Sequence, residues 1–477
     1  MRQTADNGTL LVVLTGAFMG ILDFFIVNVT IPSIEGDLGA TTGQIQLVVA
    51  GYALAYALGL VTGGRLGDLQ GHRRVFVIGL TAFTVTSLAC GLATSAWLLV
   101  AFRVLQGASA ALLTPQVLSI LNINFTGPAR ARAFAAYGAT LGLAAACGQL
   151  IGGLLVAWNP WGWGWRTCFL INLPIGLAAL VAVRFLVPKS RSSLVRRLDL
   201  PGVALATLSL GALIVPLVLG RETHWPTWAW MCLALSLPAL TVFVRYEQGL
   251  ARRGGSPLIE TSLFTDRNFV TGLVIVLAFY ASLASFFLVL SVFLQNGAHL
   301  TALAAGTAFT PLGVGFVATS SLSARIGAAL GRQALTLGAA IMAVSYAVLW
   351  SATTDPNQLN WLLLGTGLFL NGLGEGVVMT LLISTVLTGV RPDHAGSGSG
   401  ILTTTQQFSS ALGVALIGLI FYGVLGPSNY PADHANAFHA SLLYTTGLLL
   451  LVTLLVQLLP TRRSAHHMTS TPEKAST

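Results

Sequence analysis

Apolar residues fill fourteen successive stretches of the chain, and short polar segments separate them. The stretches cover residues 10–31, 45–63, 75–93, 97–120, 134–156, 168–187, 201–219, 228–244, 269–294, 304–324, 333–351, 359–387, 400–424 and 438–459. Each approaches or exceeds the roughly 20 residues that a helix needs to cross a bilayer. The pattern predicts fourteen membrane-spanning helices (spans 1–14) and an all-α membrane protein.

Composition supports a membrane protein. Of the 477 residues, 55% are hydrophobic and 8% are charged, against roughly 25% charged in soluble proteins. This excludes cytosolic enzymes, secreted disulfide scaffolds and nucleic-acid binders, because such a chain would expose apolar surface to water. The four cysteines show no metal-ligand spacing, so neither a metal site nor a disulfide framework is expected.

The basic residues predict the orientation. If the N-terminus is cytoplasmic, 21 of the 24 Lys and Arg residues fall on the cytoplasmic side, Arg166 and Arg221 fall outside, and Arg103 lies within span 4. Such an asymmetry follows the positive-inside rule. We therefore expect a multi-pass protein of the cell membrane, embedded in the lipid bilayer, with both termini in the cytoplasm.

A repeat at an offset of 260 residues pairs span 2 with span 10 and span 5 with span 13. Repeated halves with a site between them are typical of transporters. The predicted division is a six-helix bundle at 1–190, a two-helix insertion (spans 7 and 8) with its cytoplasmic loop at 191–268, a second six-helix bundle at 269–460 and a disordered tail at 461–477. The only lysines, Lys189 and Lys474, follow Pro188 and Glu473, so no phosphate-binding Gly-Lys-Ser/Thr loop exists and no ATP hydrolysis is expected.

Several motifs carry a family resemblance. The segment Gly64–Arg74 (GRLGDLQGHRR) resembles the signature loop of the major facilitator superfamily, and Leu22–Pro32 (LDFFIVNVTIP) resembles the first-helix motif of its fourteen-helix drug:proton antiporter branch. Matching segments also occur at 103–107 (RVLQG), 164–166, 169–176, 371–376 and 395–398. One departure is Gln149, where the antiporter motif usually has proline, and this weakens the inference of antiport.

The resemblance implies pseudo-symmetric halves, alternating access, and conformational switching at glycine and charged positions of the matching motifs. The switching residues expected on this basis are Gly64, Arg65, Asp68, Gly71 and Arg73 in the loop after span 2, and Gly138, Gly142, Gly148, Gly152 and Gly153 in span 5.

Three charged residues fall at membrane depth, where an ionised side chain costs at least about 2.5 kcal/mol. Asp23 is expected to exchange protons, or else to be a structural acid bonded to nearby backbone. Arg103 is expected to compete with the proton for a carboxylate, or else to extend its side chain to the membrane surface. Glu375 is expected to be a proton or cation site, or else to lie at a close helix crossing formed by its neighbouring glycines.

Aromatic and amide side chains on the central spans are candidates to line a substrate path, although helix packing is an alternative role for each. They are Asn28, Tyr52, Tyr56, Gln106, Tyr280, Gln295, Asn371, Gln406 and Gln407.

The sequence therefore predicts a monomeric, proton-driven exporter of amphipathic, cationic organic compounds that needs no cofactor. Its partners are a small-molecule substrate and protons. A dedicated exporter of one metabolite or antibiotic and a proton-coupled importer remain alternatives. A membrane-embedded enzyme or channel is disfavoured, because no metalloprotease or nucleophile-elbow motif occurs and the repeated halves indicate alternating access.

Overall fold

A computed structural model describes residues 2–188, 199–255, 257–259, 261–355, 358–387, 395–426 and 430–459. The predicted tail at 461–477, and the segment 189–198 between the first bundle and the insertion, lie outside the described residues. The described part is helical throughout apart from turns and short connections.

The first six spans are formed by seven helices. They are α1 (Arg2–Leu38), α2 (Thr42–Gln70), α3 (His72–Gly91), α4 (Ala96–Asn124), α5 (Gly127–Trp158), α6 (Thr167–Leu170) and α7 (Asn172–Leu186). Helix α6 leads directly into α7, and the two form span 6. Helix α5 is bent by 43° between Ala145 and Cys147.

The insertion contributes α8 (Leu200–Leu219) and α9 (Thr227–Arg252). The last six spans are formed by α10 (Arg267–Val292), α11 (Ala302–Ala308), α12 (Thr310–Leu330), α13 (Gln333–Ala352), α14 (Trp361–Leu387), α15 (Ala395–Leu425) and α16 (Pro431–Val456). A π-turn at Phe293–Gly297 follows α10. Among the described residues, thirteen helical stretches are long and apolar enough to span a membrane, or fourteen if the bent α5 is one span. The predicted all-α membrane fold is confirmed.

Local sequence explains several helix ends. Thr41 and Gln44 form a capping box at the start of α2, and the side chains of Ser95 and Asp199 accept backbone N–H bonds at the starts of α4 and α8. Such caps satisfy amides that have no partner within the helix. Gly71 separates α2 from α3 with a φ of 94°, a conformation that favours glycine.

One boundary differs from the sequence prediction. The segment Gly64–Gln70, expected to be a loop, is the last part of α2, and the chain turns only at Gly71. Glycine is tolerated here because it allows close packing: a Cβ on Gly67 would lie 1.9 Å from the Gln116 side-chain oxygen of α4. The turn is therefore confined to Gly71, whereas Gly67 serves helix packing.

Helices α1–α7 (the N-group) and α10–α16 (the C-group) pack in matching ways. Helix α2 lies against α4 as α12 lies against α14, and α1 lies against α5 as α10 lies against α15. The two groups meet mainly along two seams, α2 against α15 and α5 against α11 and α12, and α1 also packs against α10. These seams are equivalent under the predicted repeat, which pairs span 2 with span 10 and span 5 with span 13.

Hydrogen bonds between the N-group and the C-group all lie, within the described residues, at the end of the bundle remote from the N-terminus (the far end). The Ser291 hydroxyl donates to the Asn28 carbonyl at 2.8 Å, and the Gln295 amide donates to the Val29 carbonyl at 3.1 Å. The Asn296 amide donates to Glu35 at 3.3 Å. The far end is therefore closed.

Candidate functional site

The predicted membrane charges Asp23 and Arg103 form a buried ion pair between α1 and α4. Both side chains are inaccessible to solvent, and one guanidinium nitrogen of Arg103 donates to Asp23 Oδ2. Asp23 Oδ1 accepts two further bonds of 2.9 Å, from the amides of Gln106 and Asn172. Both carboxylate oxygens therefore act as acceptors only, which is the pattern of an ionised carboxylate.

Arg103 is fixed by several contacts besides Asp23. Its Nε donates to the Val48 carbonyl of α2 at 3.1 Å, and its Nη1 donates to the Gln106 side chain at 2.9 Å. The guanidinium carbon lies 4.2 Å from the centre of the Tyr52 ring, a cation–π distance. Arg103 therefore does not extend its side chain to the membrane surface, and that alternative is excluded in this conformation.

Sequence reasoning missed Asn172 as a site residue. Asn172 begins α7, and besides Asp23 its amide bonds the Ser87 hydroxyl of α3 at 2.9 Å. The available signal was one amide side chain within an otherwise apolar span. With the contacts of Arg103 included, the Asp23 site thus joins five helices of the N-group, α1, α2, α3, α4 and α7.

Glu375 lies in the other group, on α14. It is 1% exposed, and its Oε2 has no hydrogen-bond partner among the described residues. The neighbouring glycines do form close helix crossings: a Cβ on Gly372 would lie 1.9 Å from the Leu312 carbonyl, and one on Gly374 would lie 2.4 Å from the Gly338 carbonyl. The expected close crossing is present, and a role for Glu375 in proton or cation binding stays a prediction.

The other candidates for the substrate path are mostly engaged within the helix bundle. Tyr52 donates to the Gly20 carbonyl, Tyr56 bonds Thr114, Asn371 donates to Ser345, and Gln406 donates to the Tyr280 hydroxyl at 2.9 Å. Asn28 and Gln295 lie at the closed far end, where Asn28 contributes its carbonyl and Gln295 its amide. Gln407, on α15, is half-buried. Their roles in substrate binding stay predictions.

The charged switching residues lie at the end of the bundle near the N-terminus. Arg65 is buried and donates to the Pro257 carbonyl in the segment between α9 and α10. Asp68 lies 3.7 Å from His72, and Arg73 donates to the Arg184 carbonyl of α7 at 3.0 Å. Gly64 makes only an ordinary contact with Pro115. These contacts connect the ends of α2, α3 and α7.

Four of the five switching glycines on α5 lie where another helix comes close. A Cβ on Gly148 or Gly152 would meet α1, one on Gly142 would meet the Phe316 ring, and one on Gly153 would lie 2.5 Å from the Ala302 carbonyl. Gly138 has no neighbour within 4 Å. Gln149, which stands where the antiporter motif usually has proline, donates to the Phe25 carbonyl of α1 at 3.1 Å.

This helical architecture, with its paired groups and intramembrane ion pair, is that of a membrane transporter. The family model of the Major Facilitator Superfamily matches residues 13–414. The chain belongs to this superfamily and is a multi-pass membrane transporter, as its motifs predicted.

Relatives of this chain include proteins that are named for the transport or export of an antibiotic, or for resistance to one. The chain is 38% identical over 418 residues to the "Probable actinorhodin transporter" of Streptomyces coelicolor, covering 87% of this chain and 72% of the relative. It is 35% identical to the "Cephamycin export protein CmcT" of Amycolatopsis lactamdurans, over 96% and 93%. It is 32% identical to the "Puromycin resistance protein pur8" of Streptomyces alboniger, over 94% and 90%.

Solved transporter structures share the fold. A bacterial homologue of the human lysosomal transporter Spinster aligns with a TM-score of 0.66 at 16% identity, covering 99% of both chains. A peptide transporter, POT, aligns with a TM-score of 0.66 at 15% identity, covering 96% of this chain and 98% of its own.

Proposed function

We propose that the protein is a proton-coupled exporter of amphipathic organic compounds, antibiotics among them, in the cell membrane. It acts by alternating access as a monomer, with both termini in the cytoplasm and without a cofactor. The names of its relatives support export of antibiotics, and the positive-inside asymmetry supports the orientation.

The observation that carries proton coupling is the buried Asp23–Arg103 pair. A proton and Arg103 compete for the same carboxylate, because protonation of Asp23 removes the negative charge that compensates the guanidinium. A buried cation without a counter-ion is strongly unfavourable. Protonation therefore favours rearrangement of α1 against α4, or entry of water, and this links proton binding to a change of conformation.

The closed far end supports an inward-facing state. In the proposed orientation the far end faces outward, so this conformation is closed to the outside, and the proposed entry side is the cytoplasm. Substrate would enter between the groups from that side, with Glu375 available to compensate a positive charge. Inward movement of each proton down a potential of 100 mV supplies about 2.3 kcal/mol.

The test is transport in sealed inside-out vesicles with an acidic interior. We expect fluorescent organic cations to accumulate only while the gradient lasts, and Asp23→Asn to reduce accumulation at least about tenfold, since it removes the carboxylate that the proton and Arg103 share. Asp37→Asn is the matched control, because Asp37 is on the same helix but is partly exposed and pairs with Arg166 at the far end. Equal transport by Asp23→Asn and wild type would exclude this site from the proton path.

A second candidate is a dedicated exporter of one antibiotic, favoured by relatives named for single compounds. A panel of cationic, neutral and anionic antibiotics in the same vesicles separates the two. Transport of one compound or scaffold alone favours the dedicated exporter, and transport of many cations favours the polyspecific one. Accumulation with the gradient reversed would instead indicate uptake.

A further inference from the structure

The turn between α8 and α9, at the far end, is closed by hydrogen bonds within its own backbone. The Trp225 amide donates to the Gly220 carbonyl at 2.6 Å, and the Thr223 amide donates to the Leu219 carbonyl at 3.1 Å. His224 and Trp225 adopt left-handed backbone conformations, with φ of 56° and 52°. This geometry fixes the preceding residues, Arg221 and Glu222, on the same short turn.

Glu222 binds the start of α2 in the N-group. Its carboxylate accepts bonds from the hydroxyls of Thr41 at 2.9 Å and Thr42 at 2.7 Å, and from the Gly43 amide. A negative charge at a helix N-terminus is stabilised by the free amides and by the helix dipole. The Glu222 carboxylate thus caps a helix about 180 positions away in the sequence.

Arg221 binds the end of α15 in the C-group. Its guanidinium donates to the Tyr422 carbonyl, three residues before α15 ends at Leu425. A cation near a helix C-terminus is favourable for the same electrostatic reason. Two adjacent side chains of opposite charge therefore hold the ends of α2 and α15, one in each group.

The seam beneath this turn is tightly packed. A Cβ on Gly418 of α15 would lie 2.0 Å from the Gln46 side chain of α2. Helix α8 packs against both α2 and α15, whereas α9 packs against α8 and the short helix Thr261–Thr265. The insertion thus covers the α2–α15 seam, and within the described residues it makes no comparable contact with the α5–α11 seam.

We propose that the turn 220–226 is a latch that holds the far end closed by connecting α2 to α15. Opening of the far end separates these helices, so either Glu222 must leave α2 or Arg221 must leave α15. Arg221 and Glu222 are then gating residues, and closing the outer gate is a role of the two-helix insertion. This inference rests on the proposed alternating access.

The experiment measures opening of the far end directly. Ser291→Cys, in a background without the four native cysteines, places a thiol at a buried position that bonds Asn28 across the two groups. A membrane-impermeant maleimide is applied on the side opposite an N-terminal tag. Arg221→Gln and Glu222→Gln are each expected to raise the labelling rate about fivefold, the effect of losing roughly 1 kcal/mol of charge-assisted bonding.

Asp37→Asn is the matched control, because the Asp37–Arg166 pair lies at the same end but within the N-group. Labelling that stays at the control level in both latch variants overturns the inference, even if their transport is lost. Labelling that rises in both variants supports the latch, whether or not any compound is exported. The labelling assay therefore tests the latch separately from the vesicle assay that tests the proposed function. Each variant is first checked for monodisperse elution, and Glu222→Asp is a second variant expected to label at an intermediate rate, because it keeps the carboxylate but shortens its reach to α2.

Discussion

At the scale of single residues, the geometry of the Asp23 site predicts how much one amide contributes to the free energy of unfolding. Asn172→Leu keeps the approximate volume and removes the donor of bonds to the buried Asp23 carboxylate and to the Ser87 hydroxyl, so we expect it to lower the free energy of unfolding by about 1.5–3 kcal/mol. Asn371→Leu is the matched change in the C-group, where the amide donates to the uncharged Ser345 hydroxyl, and we expect about 0.5–1.5 kcal/mol. Denaturant unfolding in detergent measures both, and equal losses would show that the charge on Asp23 adds nothing to the Asn172 bond.

The same residues show where sequence reasoning ends. Asp23 and Arg103 could be selected individually, because a charge at membrane depth needs a partner or water. Their pairing follows from the register of α1 against α4 across 80 positions, which no local pattern specifies. Asn172 was missed for the related reason that a lone amide in an apolar span does not reveal which helix it faces.

At the scale of helices, glycine spacing determines how closely α12 and α14 approach. Gly372→Ala would place a Cβ 1.9 Å from the Leu312 carbonyl, so the backbones must separate, at a cost of about 1–3 kcal/mol or more. Gly138→Ala is the control, because no atom lies within 4 Å of the added Cβ. Alanine also stabilises a helix by about 0.8–1 kcal/mol relative to glycine. Thermal unfolding in detergent should show a lower midpoint for Gly372→Ala and an unchanged or higher one for Gly138→Ala. The opposite order would show that close approach is not what these glycines provide.

Helix positions were predictable because each apolar stretch must be buried in lipid or protein, and every predicted span corresponds to a helix or a directly connected helix pair. Helix ends were less predictable. Helix α2 extends to Gln70, and Gly67 allows close packing against α4 instead of forming a turn. The presence of glycine alone does not show whether it serves helix packing or a turn. The bend of 43° in α5 also could not be predicted, because no proline lies near it in the sequence.

At the scale of the whole molecule, the repeat of 260 residues predicted two comparable groups of helices, and the packing of the groups is indeed comparable. The division at 190 and 268 stays a prediction. Which helices join the groups, and at which end, depends on pairs such as Ser291 of α10 with Asn28 of α1, which are 263 positions apart. These pairs have no periodic signature, so the closed far end and the contacts of Glu222 could not be inferred from the sequence.

The two seams should act on one equilibrium between closed and open far ends. Gly153→Ala places a Cβ 2.5 Å from the Ala302 carbonyl on the α5–α11 seam, so we expect it to raise labelling of Ser291→Cys about fivefold or more, as overpacking by 1–3 kcal/mol implies. Arg221→Gln acts at the distant α2–α15 seam. Because free energies at independent sites add, the fold-changes of the two variants should multiply in the double variant, as long as the open state remains a minor population. A double variant labelled no faster than the quicker single variant would mean that the seams open separately, and the far end would then be two gates rather than one.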